Sequence, residues 1–247
     1  MDTSGWEQVD PIPTLNLGEA HLWRGKIPNQ MDRLTEYFLI LSDEEISRAR
    51  SYQFERDQIC FAYCRYALRD LLGKYLLKNP ASLEFQLNEF GKPSLQEPIQ
   101  FNISHSHGWA LFFFSKEGPL GVDLEKIQTQ KSGEDLAKRF FSEEELKFLK
   151  SFDKEERPQA FFRLWTLKEA FIKAVGNGLS YPLNSFSIGW DLQGNVQCAS
   201  SQAQGILGKL NLASFSPAPG FQGALANPKS IKKIRRLTLP SSAEESK

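Results

Sequence analysis

Cysteine is scarce in this sequence, which has only Cys60, Cys64 and Cys198 among its 247 residues. Their odd number and their spacing match neither a disulfide framework nor a zinc ribbon. Cys60 and Cys64 are four positions apart in a helical pattern, so both lie on one face, where we interpret them as small buried residues. The cysteine usage therefore predicts a protein of the reducing cytoplasm.

An excess of charge of one sign is also missing, since 30 Lys and Arg residues balance 30 Asp and Glu residues. Without a global field, neither a nucleic acid nor an anionic membrane is expected as the main partner. The longest apolar runs, such as Ala110 to Phe114, are far shorter than the roughly 20 residues that span a bilayer. The first residues carry acids, a tryptophan and prolines where a signal peptide needs a basic and then an apolar region. We therefore expect neither export nor membrane anchoring.

What is present is the composition of a folded globular protein, with helix signals that occur twice. Hydrophobic residues make up 40% of the chain and charged residues 24%, which is ordinary for such proteins. Ser42 is followed three residues later by Glu45, and Ser142 by Glu145, and each pair is the signature of a capping box at a helix start. A longer helical pattern and then alternating strand patterns follow each box.

The repeated order predicts a pseudo-duplicated α+β fold, in which each half is a helix pair packed on a small, mainly antiparallel sheet. We place the N-terminal half at 1–118 and the C-terminal half at 119–240, and we expect 241–247 to be a disordered tail. The basic stretch 229–239 alternates like an edge strand. The seam between the halves is the predicted place of an active site.

Two carboxylates share one direction in the strand pattern LGVDLEKI. Val122 and Leu124 alternate with Asp123 and Glu125, so the two acids lie together on the face opposite the apolar one. Such a pair on a surface strand is commonly a solvated face and nothing more. The preceding glycine and proline favour a strand that emerges at the seam.

A second pair of charged residues lies on the helical pattern RLWTLKEAFIKAV. Glu169 and Lys173 are one turn apart and therefore neighbours, as in the exposed ion pairs that are common on helices. Trp165 points elsewhere, as part of the core or as a wall of the cleft. Taken alone, this helix is ambiguous.

Taken together, these segments resemble the 4′-phosphopantetheinyl transferases of the larger, surfactin-synthetase-activating type. The family's Gly-(Ile/Val)-Asp-(Ile/Leu)-Glu strand is matched at Gly121 to Glu125, and its Trp-x-x-Lys-Glu-(Ser/Ala)-x-x-Lys helix at Trp165 to Lys173. Upstream matches are Gly91-Lys92-Pro93 and the segment Asn102 to Ser106. The likeness runs in order from about residue 41 to residue 186, and this co-occurrence is far more specific than any one motif.

The resemblance implies transfer of 4′-phosphopantetheine from coenzyme A to a serine of an apo acyl or peptidyl carrier protein, with release of 3′,5′-adenosine bisphosphate. By the family pattern, Asp123, Glu125 and Glu169 hold Mg2+, a cation that favours carboxylates, water and phosphate. Glu169 and Lys173 are the catalytic residues that the pattern implies. Lys173 offsets phosphate charge. Glu169 accepts the serine proton, directly or through a water, although the family has more than one account of the base and the sequence does not choose among them.

The resemblance also implies contacts to coenzyme A, mostly from the N-terminal half. These residues are Arg48, Lys92, Ser104, His105, Lys168 and Lys173. Ser104 and His105 are expected at a phosphate, Lys92 at the 3′-phosphate and Arg48 near the nucleotide. Where the family often has a second basic residue one turn before Arg48, this chain has Glu45.

Two other functions are compatible with parts of this pattern. A magnesium-dependent phosphotransferase or nucleotidyl transferase also uses acids and lysines, but the sequence has neither a Walker-type P-loop nor a Rossmann fingerprint after a strand. A non-catalytic module that only binds carrier proteins is the other possibility, and the full set of acids and lysines argues against it.

The partner surface is predicted from position and charge. Carrier proteins are usually acidic helical bundles, so a local basic and apolar patch is expected beside the cleft. The segment from Lys126 to Phe141 is the candidate, with Lys131, Lys138 and Arg139 as its charges. By family analogy we expect a monomer, because each half supplies what a trimer of the smaller transferase type obtains from its neighbours.

Overall fold

A computed structural model describes residues 5–29, 31–128, 133–176, 178, 181–190, 196–198 and 208–240 of the chain. The helices are α1 (Leu34–Phe38), α2 (Asp43–Arg50), α3 (Glu55–Leu76), α4 (Glu134–Phe140), α5 (Glu143–Lys150) and α6 (Arg157–Val175). The strands are β1 (Glu7–Gln8), β2 (Glu19–Lys26), β3 (Gln86–Leu87), β4 (Pro93–Ser94), β5 (Gln100–Ser106), β6 (Trp109–Ser115), β7 (Gly121–Lys126), β8 (Ile188–Trp190), β9 (Val196–Cys198), β10 (Leu210–Phe215), β11 (Phe221–Pro228) and β12 (Lys233–Thr238). Among these described residues, no helix is long and apolar enough to cross a membrane.

Two sheets packed against each other form the centre of the molecule, with helices outside both. The first sheet has the strand order β1-β12-β2-β6-β5 and the second has the order β10-β11-β7. One face of β6 packs Phe112 and Phe114 against α1 to α3. Its other face packs Phe113 against Val122 and Leu124 of β7. Because both faces of β6 are buried, its sequence is a continuous apolar run and does not alternate.

The second sheet is covered on its outer face by α6, and α5 packs against α6. Ala224 and Ala226 of β11 lie in one core cluster with Leu164 and Phe171 of α6. All pairings in this sheet are antiparallel. The layers therefore run from helices through two sheets to helices, which confirms the predicted pseudo-duplicated α+β fold.

The last strand crosses back to the first sheet. β12 runs parallel to β2 over its whole length and also pairs with β1 at Leu237 and Thr238. The interpretation of 229–239 as an edge strand is thus corrected, since β1 covers the end of β12. The final part of the range 119–240 completes the sheet of the first half, because Leu237 is fully buried in that half's core. The predicted tail 241–247 lies outside the described residues.

Both predicted capping boxes are present with nearly identical geometry. The Glu45 backbone N–H donates to Ser42 Oγ at 3.3 Å, and the Ser42 backbone N–H donates to the Glu45 carboxylate at 3.0 Å. The same two bonds at Ser142 and Glu145 are 3.3 and 2.8 Å long. Each box satisfies N–H groups that the first turn of a helix leaves without partners.

The two capping glutamates are also buried ion-pair partners of the long helices. Glu45 accepts from Arg69 of α3 at 2.7 Å, and Glu145 accepts from Lys168 of α6 at 2.8 Å. Each cation donates in addition to two backbone carbonyls of the segment that follows its helix. This shared arrangement ties the helix pair of each half together and is the most detailed sign of the duplication.

Candidate active site

The candidate site lies where the edge of the first sheet meets the edge of the second. Three side chains of β5 accept hydrogen bonds from alternate backbone N–H groups of β7. The pairs are Asn102 with Val122 at 2.8 Å, Ser104 with Leu124 at 3.2 Å and Ser106 with Lys126 at 3.3 Å. Side chains thus satisfy a strand edge that has no backbone partner on this side, and they fix the register between the halves.

The same hydroxyl groups hold the two strand carboxylates. Ser104 Oγ lies 3.1 Å from Asp123 Oδ1, and Ser106 Oγ lies 3.1 Å from Glu125 Oε2. Asn102 and Ser106 are functional positions that sequence reasoning did not single out. The only sequence feature that marks these two positions is the alternation of polar residues from Asn102 to Ser106, and this pattern is compatible with any half-exposed strand.

Gly121 brings β7 into close contact with α6. A Cβ atom at this position would lie 1.9 Å from the carbonyl oxygen of Ala170 and 2.6 Å from the amide nitrogen of Ala174. Only glycine permits this approach without displacing the backbone. Because side chains alternate along a strand, Asp123 and Glu125 point to the same side as Gly121, toward α6.

Lys173 of α6 reaches across to the strand. Its Nζ donates to Asp123 Oδ1 at 2.7 Å and to Ser104 Oγ at 3.0 Å, so this lysine pairs with Asp123 and not with Glu169 one turn away. Asp123 is 4% exposed, and its other oxygen, Oδ2, is buried without a hydrogen-bond partner. A buried carboxylate oxygen in this state is costly unless a cation or water binds it.

The carboxyl groups of Glu125 and Glu169 lie close enough to Asp123 and Lys173 for the charges of these two residues to affect their pKa. Burial, followed by the negative charge of Asp123, raises the pKa of Glu169 to about 7. Burial and Asp123 also raise the pKa of Glu125. Each raised pKa means that a negative charge is disfavoured at that carboxyl group, so a divalent cation would stabilise the ionised acids. The donor set of carboxylate oxygens fits Mg2+.

The three acids lie near one another, but their carboxylate oxygens are not all within ligand distance of a single metal ion. Among the described residues, the one group that brings three ligand atoms within 4.8 Å of one another is Cys60, Cys64 and His105. Two carboxylates about 4 Å apart repel by about 4 kcal/mol at an effective dielectric of 20, so a closer approach of the acids would be costly without a cation. Asp123 is paired with Lys173.

Two of the expected coenzyme A contacts have other partners in the structure. Lys168 is fully buried and pairs with Glu145, so the expected position near the phosphates is corrected. Adjacent helical residues point about 100° apart, which separates Lys168 from Glu169 on α6. Ser104 is 7% exposed, and its hydroxyl is engaged by Asp123, Lys173 and a backbone N–H instead of a phosphate.

Lys92 also differs from its expected place at the 3′-phosphate. Its Nζ donates to the backbone carbonyls of Leu120 at 3.1 Å, Lys173 at 2.5 Å and Ala174 at 3.3 Å. Burial lowers the pKa of Lys92 to about 8. The lysine therefore satisfies carbonyls at the C-terminal end of α6 and holds that helix to β7.

Arg48 and His105 remain at the surface. The Arg48 guanidinium lies 5.4 Å from the ring centroid of Phe61, at a cleft of about 320 Å³ that Arg65 and Phe85 also line. His105 is exposed, and its Nδ1 lies 3.4 Å from Cys60 Sγ, one residue along α3 from Phe61. The cleft thus lies on one side of α3 and β5, and the carboxylates lie on the other side. Glu45, the departure from the family pattern, is buried and binds Arg65 and Arg69.

Comparison with known proteins defines the class. The sequence profile of the 4′-phosphopantetheinyl transferase superfamily matches residues 119–214. The 4′-phosphopantetheinyl transferase HetI of Nostoc sp. is 36% identical over 180 residues, which are 71% of this chain and 76% of that protein. The 4′-phosphopantetheinyl transferase Sfp of Bacillus subtilis is 39% identical over 170 residues, covering 63% of this chain and 75% of that protein. The chain therefore belongs to the 4′-phosphopantetheinyl transferases.

Solved structures with partial likeness are holo-[acyl-carrier-protein] synthases. The enzyme from Neisseria meningitidis has a TM-score of 0.38 at 21% identity, covering 44% of this chain and 96% of that chain. The enzyme from Bacillus anthracis, solved in complex with coenzyme A, has a TM-score of 0.36 at 19% identity, covering 43% and 91%. These scores are too low for a residue-by-residue comparison, so the family assignment depends on the sequence relatives.

Proposed function

We propose that this chain transfers 4′-phosphopantetheine from coenzyme A to a serine hydroxyl of an apo carrier protein in a magnesium-dependent reaction that releases 3′,5′-adenosine bisphosphate. The observation that carries the proposal is Asp123, a buried carboxylate bound by Lys173 and Ser104 with one oxygen left without a partner. In a member of this family, such an oxygen beside Glu125 and Glu169 is suited to a hard cation that binds phosphate.

In this proposal Asp123, Glu125 and Glu169 would hold Mg2+, which would supply positive charge at the pyrophosphate of coenzyme A. The serine oxygen forms a bond to the β-phosphorus, and the bond from that phosphorus to the bridging oxygen breaks. Glu169 accepts the serine proton, directly or through a water. Lys173 stays next to Asp123 and adds a positive charge at the reacting phosphates.

Besides Lys173, the coenzyme A contacts that we retain are Arg48 and His105. Arg48, with the aromatic ring of Phe61 below it, offers a cation and a flat apolar surface to the nucleotide end. His105 is exposed between the cleft and the carboxylates, where its pKa is raised by the hydrogen bond to Cys60. Because Nδ1 faces Cys60, the N–H at Nε2 is the group that would donate to a phosphate.

The direct test is to mix the protein with coenzyme A, Mg2+ and either an apo acyl carrier protein or an apo peptidyl carrier protein, and to weigh the carrier. We expect a mass gain of one phosphopantetheine that requires Mg2+ and is abolished by a chelator. A nucleotidyl transferase would add a different mass, and a binding module would add none. The absence of any gain across a range of apo carriers would contradict the proposed function.

We further propose that α4 contributes to the carrier surface. This helix exposes Leu136 at 48%, with the acids Glu134 and Asp135 in its first turn and the cations Lys138 and Arg139 in its last turn. Arg139 is one turn from Leu136, and an apolar residue beside a cation fits an acidic helical partner. Lys131, the third predicted charge, lies outside the described residues. The cytoplasmic location and the monomeric state stay predictions of the sequence.

Reversing the charge of α4 tests this surface. We expect the double change Lys138→Glu and Arg139→Glu to raise KM for the carrier protein about tenfold, because about 1.4 kcal/mol of charge attraction corresponds to that factor. KM for coenzyme A should stay unchanged. The matched control is the reversal of Lys147 and Lys150, two exposed lysines on the neighbouring helix α5. An equal loss in both pairs, or in both KM values, would exclude α4 as the specific docking site.

A further inference from the structure

Two thiols and one imidazole meet beside the proposed active site. Cys60 and Cys64 lie one turn apart on α3, and His105 approaches them from β5. One ligand atom from each of these residues lies within 4.8 Å of the other two, and Cys60 Sγ is 3.4 Å from His105 Nδ1. The phosphopantetheinyl transfer described above uses neither cysteine.

The spacing of these atoms is that of ligands around one metal ion. Tetrahedral zinc binds sulfur at about 2.3 Å and imidazole nitrogen at about 2.0 to 2.1 Å, which puts a sulfur and a nitrogen ligand about 3.6 Å apart. The distance between Cys60 and His105 is already close to this value. Residues four apart on a helix present two ligands to one ion, as in metal sites built on a single helix turn.

We propose that Cys60, Cys64 and His105 bind one zinc ion, with water in the fourth position. Two thiolates and an imidazole form a soft donor set that selects zinc over magnesium, whereas the carboxylates of Asp123, Glu125 and Glu169 favour the hard cation. The chain would then hold two metal sites of different chemistry on either side of β5. This inference does not depend on the transferase activity.

Zinc would bind both cysteines as thiolates and His105 as a neutral imidazole, so binding would release protons and should tighten as the pH rises.

Cobalt titration of the reduced, metal-free, full-length protein tests the proposal. Co2+ is expected to produce one equivalent of the near-ultraviolet absorption that marks cobalt bound by thiolate, and Zn2+ should remove it by displacement. An excess of Mg2+ should leave it unchanged, because Mg2+ binds oxygen ligands. Carboxylate-bound cobalt gives no thiolate absorption, so the two sites are distinguished in one measurement.

Variants locate the site. Cys60→Ser and His105→Ala are expected to weaken Co2+ binding at least about tenfold, the low end of the loss seen when a residue that supports a metal ligand is changed. The matched control is Cys198→Ser, in β9 of the second half, which should keep the absorption. Both test positions are outside the fully buried core, and a thermal melt of each variant checks folding. Absence of the thiolate band in the parent protein, or an unchanged Co2+ affinity in Cys60→Ser, would overturn the proposal.

Discussion

Replacing Asp123 by asparagine is expected to lower kcat/KM for holo-carrier formation by about 10²- to 10³-fold, the loss typical for one preorganised electrostatic partner of a transition state. Asparagine keeps the size of the side chain and an oxygen for Ser104 and Lys173, but it removes the negative charge. The pair between Lys173 and Asp123, 2.7 Å long, then loses its ionic character, and the unpartnered Oδ2 is no longer a cation ligand.

The measurement is a steady-state assay over a range of Mg2+ concentrations. Weaker ligation predicts a higher Mg2+ requirement as well as a lower rate. Asp153→Asn is the matched control, because Asp153 is exposed in the loop between α5 and α6. A thermal melt should show that Asp123→Asn remains folded, since the change also removes repulsion with Glu125 and Glu169. Activity within a few-fold of the parent protein would refute the role of Asp123.

Replacing Lys168 by alanine is expected to lower the free energy of unfolding by about 3 to 5 kcal/mol, the usual cost of removing one partner from a buried ion pair. Lys168 and Glu145 have side chains 0% and 1% exposed, and their charged atoms are 2.8 Å apart. Without the lysine, Glu145 keeps a buried negative charge, and two backbone carbonyls of the segment after α6 lose their donor. Such unpaired groups are expensive in a low dielectric.

Urea unfolding followed by circular dichroism measures this loss. Lys147→Ala on the exposed side of α5 is the matched control and should change stability by no more than about 0.5 kcal/mol. KM for coenzyme A of the folded Lys168→Ala protein should be unaffected, because Lys168 faces the core of the second half. A stable variant with a raised KM for coenzyme A would instead support the contact between Lys168 and a phosphate that the family motif suggests.

Local signals predicted much of the fold. The two capping boxes appeared where Ser-x-x-Glu occurs. Capping depends on residues three or four positions apart, so it can be recognised in the sequence. Strand patterns are weaker signals: Leu83, Phe85 and Leu87 alternate with other residues, but only Gln86 and Leu87 form a strand, β3.

The corrections at the candidate site all involve lysine and serine side chains whose partners are distant in sequence. Lys92 binds carbonyls 28 to 82 positions away, and Ser104 binds Asp123 from a different sheet. A motif gives the residue type and the neighbours within a turn, but a flexible lysine reaches whichever acceptor the packing places beside it. Motif membership therefore located Lys168 on the correct helix and on the wrong face.

The sequence by itself determined the family, the duplicated order of elements and the shared direction of Asp123 and Glu125, because these depend on motifs and on short-range periodicity. Only the tertiary structure decided which groups meet. The close approach at Gly121 brings α6 onto β7, so Lys173 pairs with the strand acid and not with Glu169. The packing of α3 beside β5 likewise turned two cysteines, interpreted from sequence as inert core residues, into neighbours of His105. Long-range contacts of this kind are set by how whole layers pack, and no local pattern encodes them.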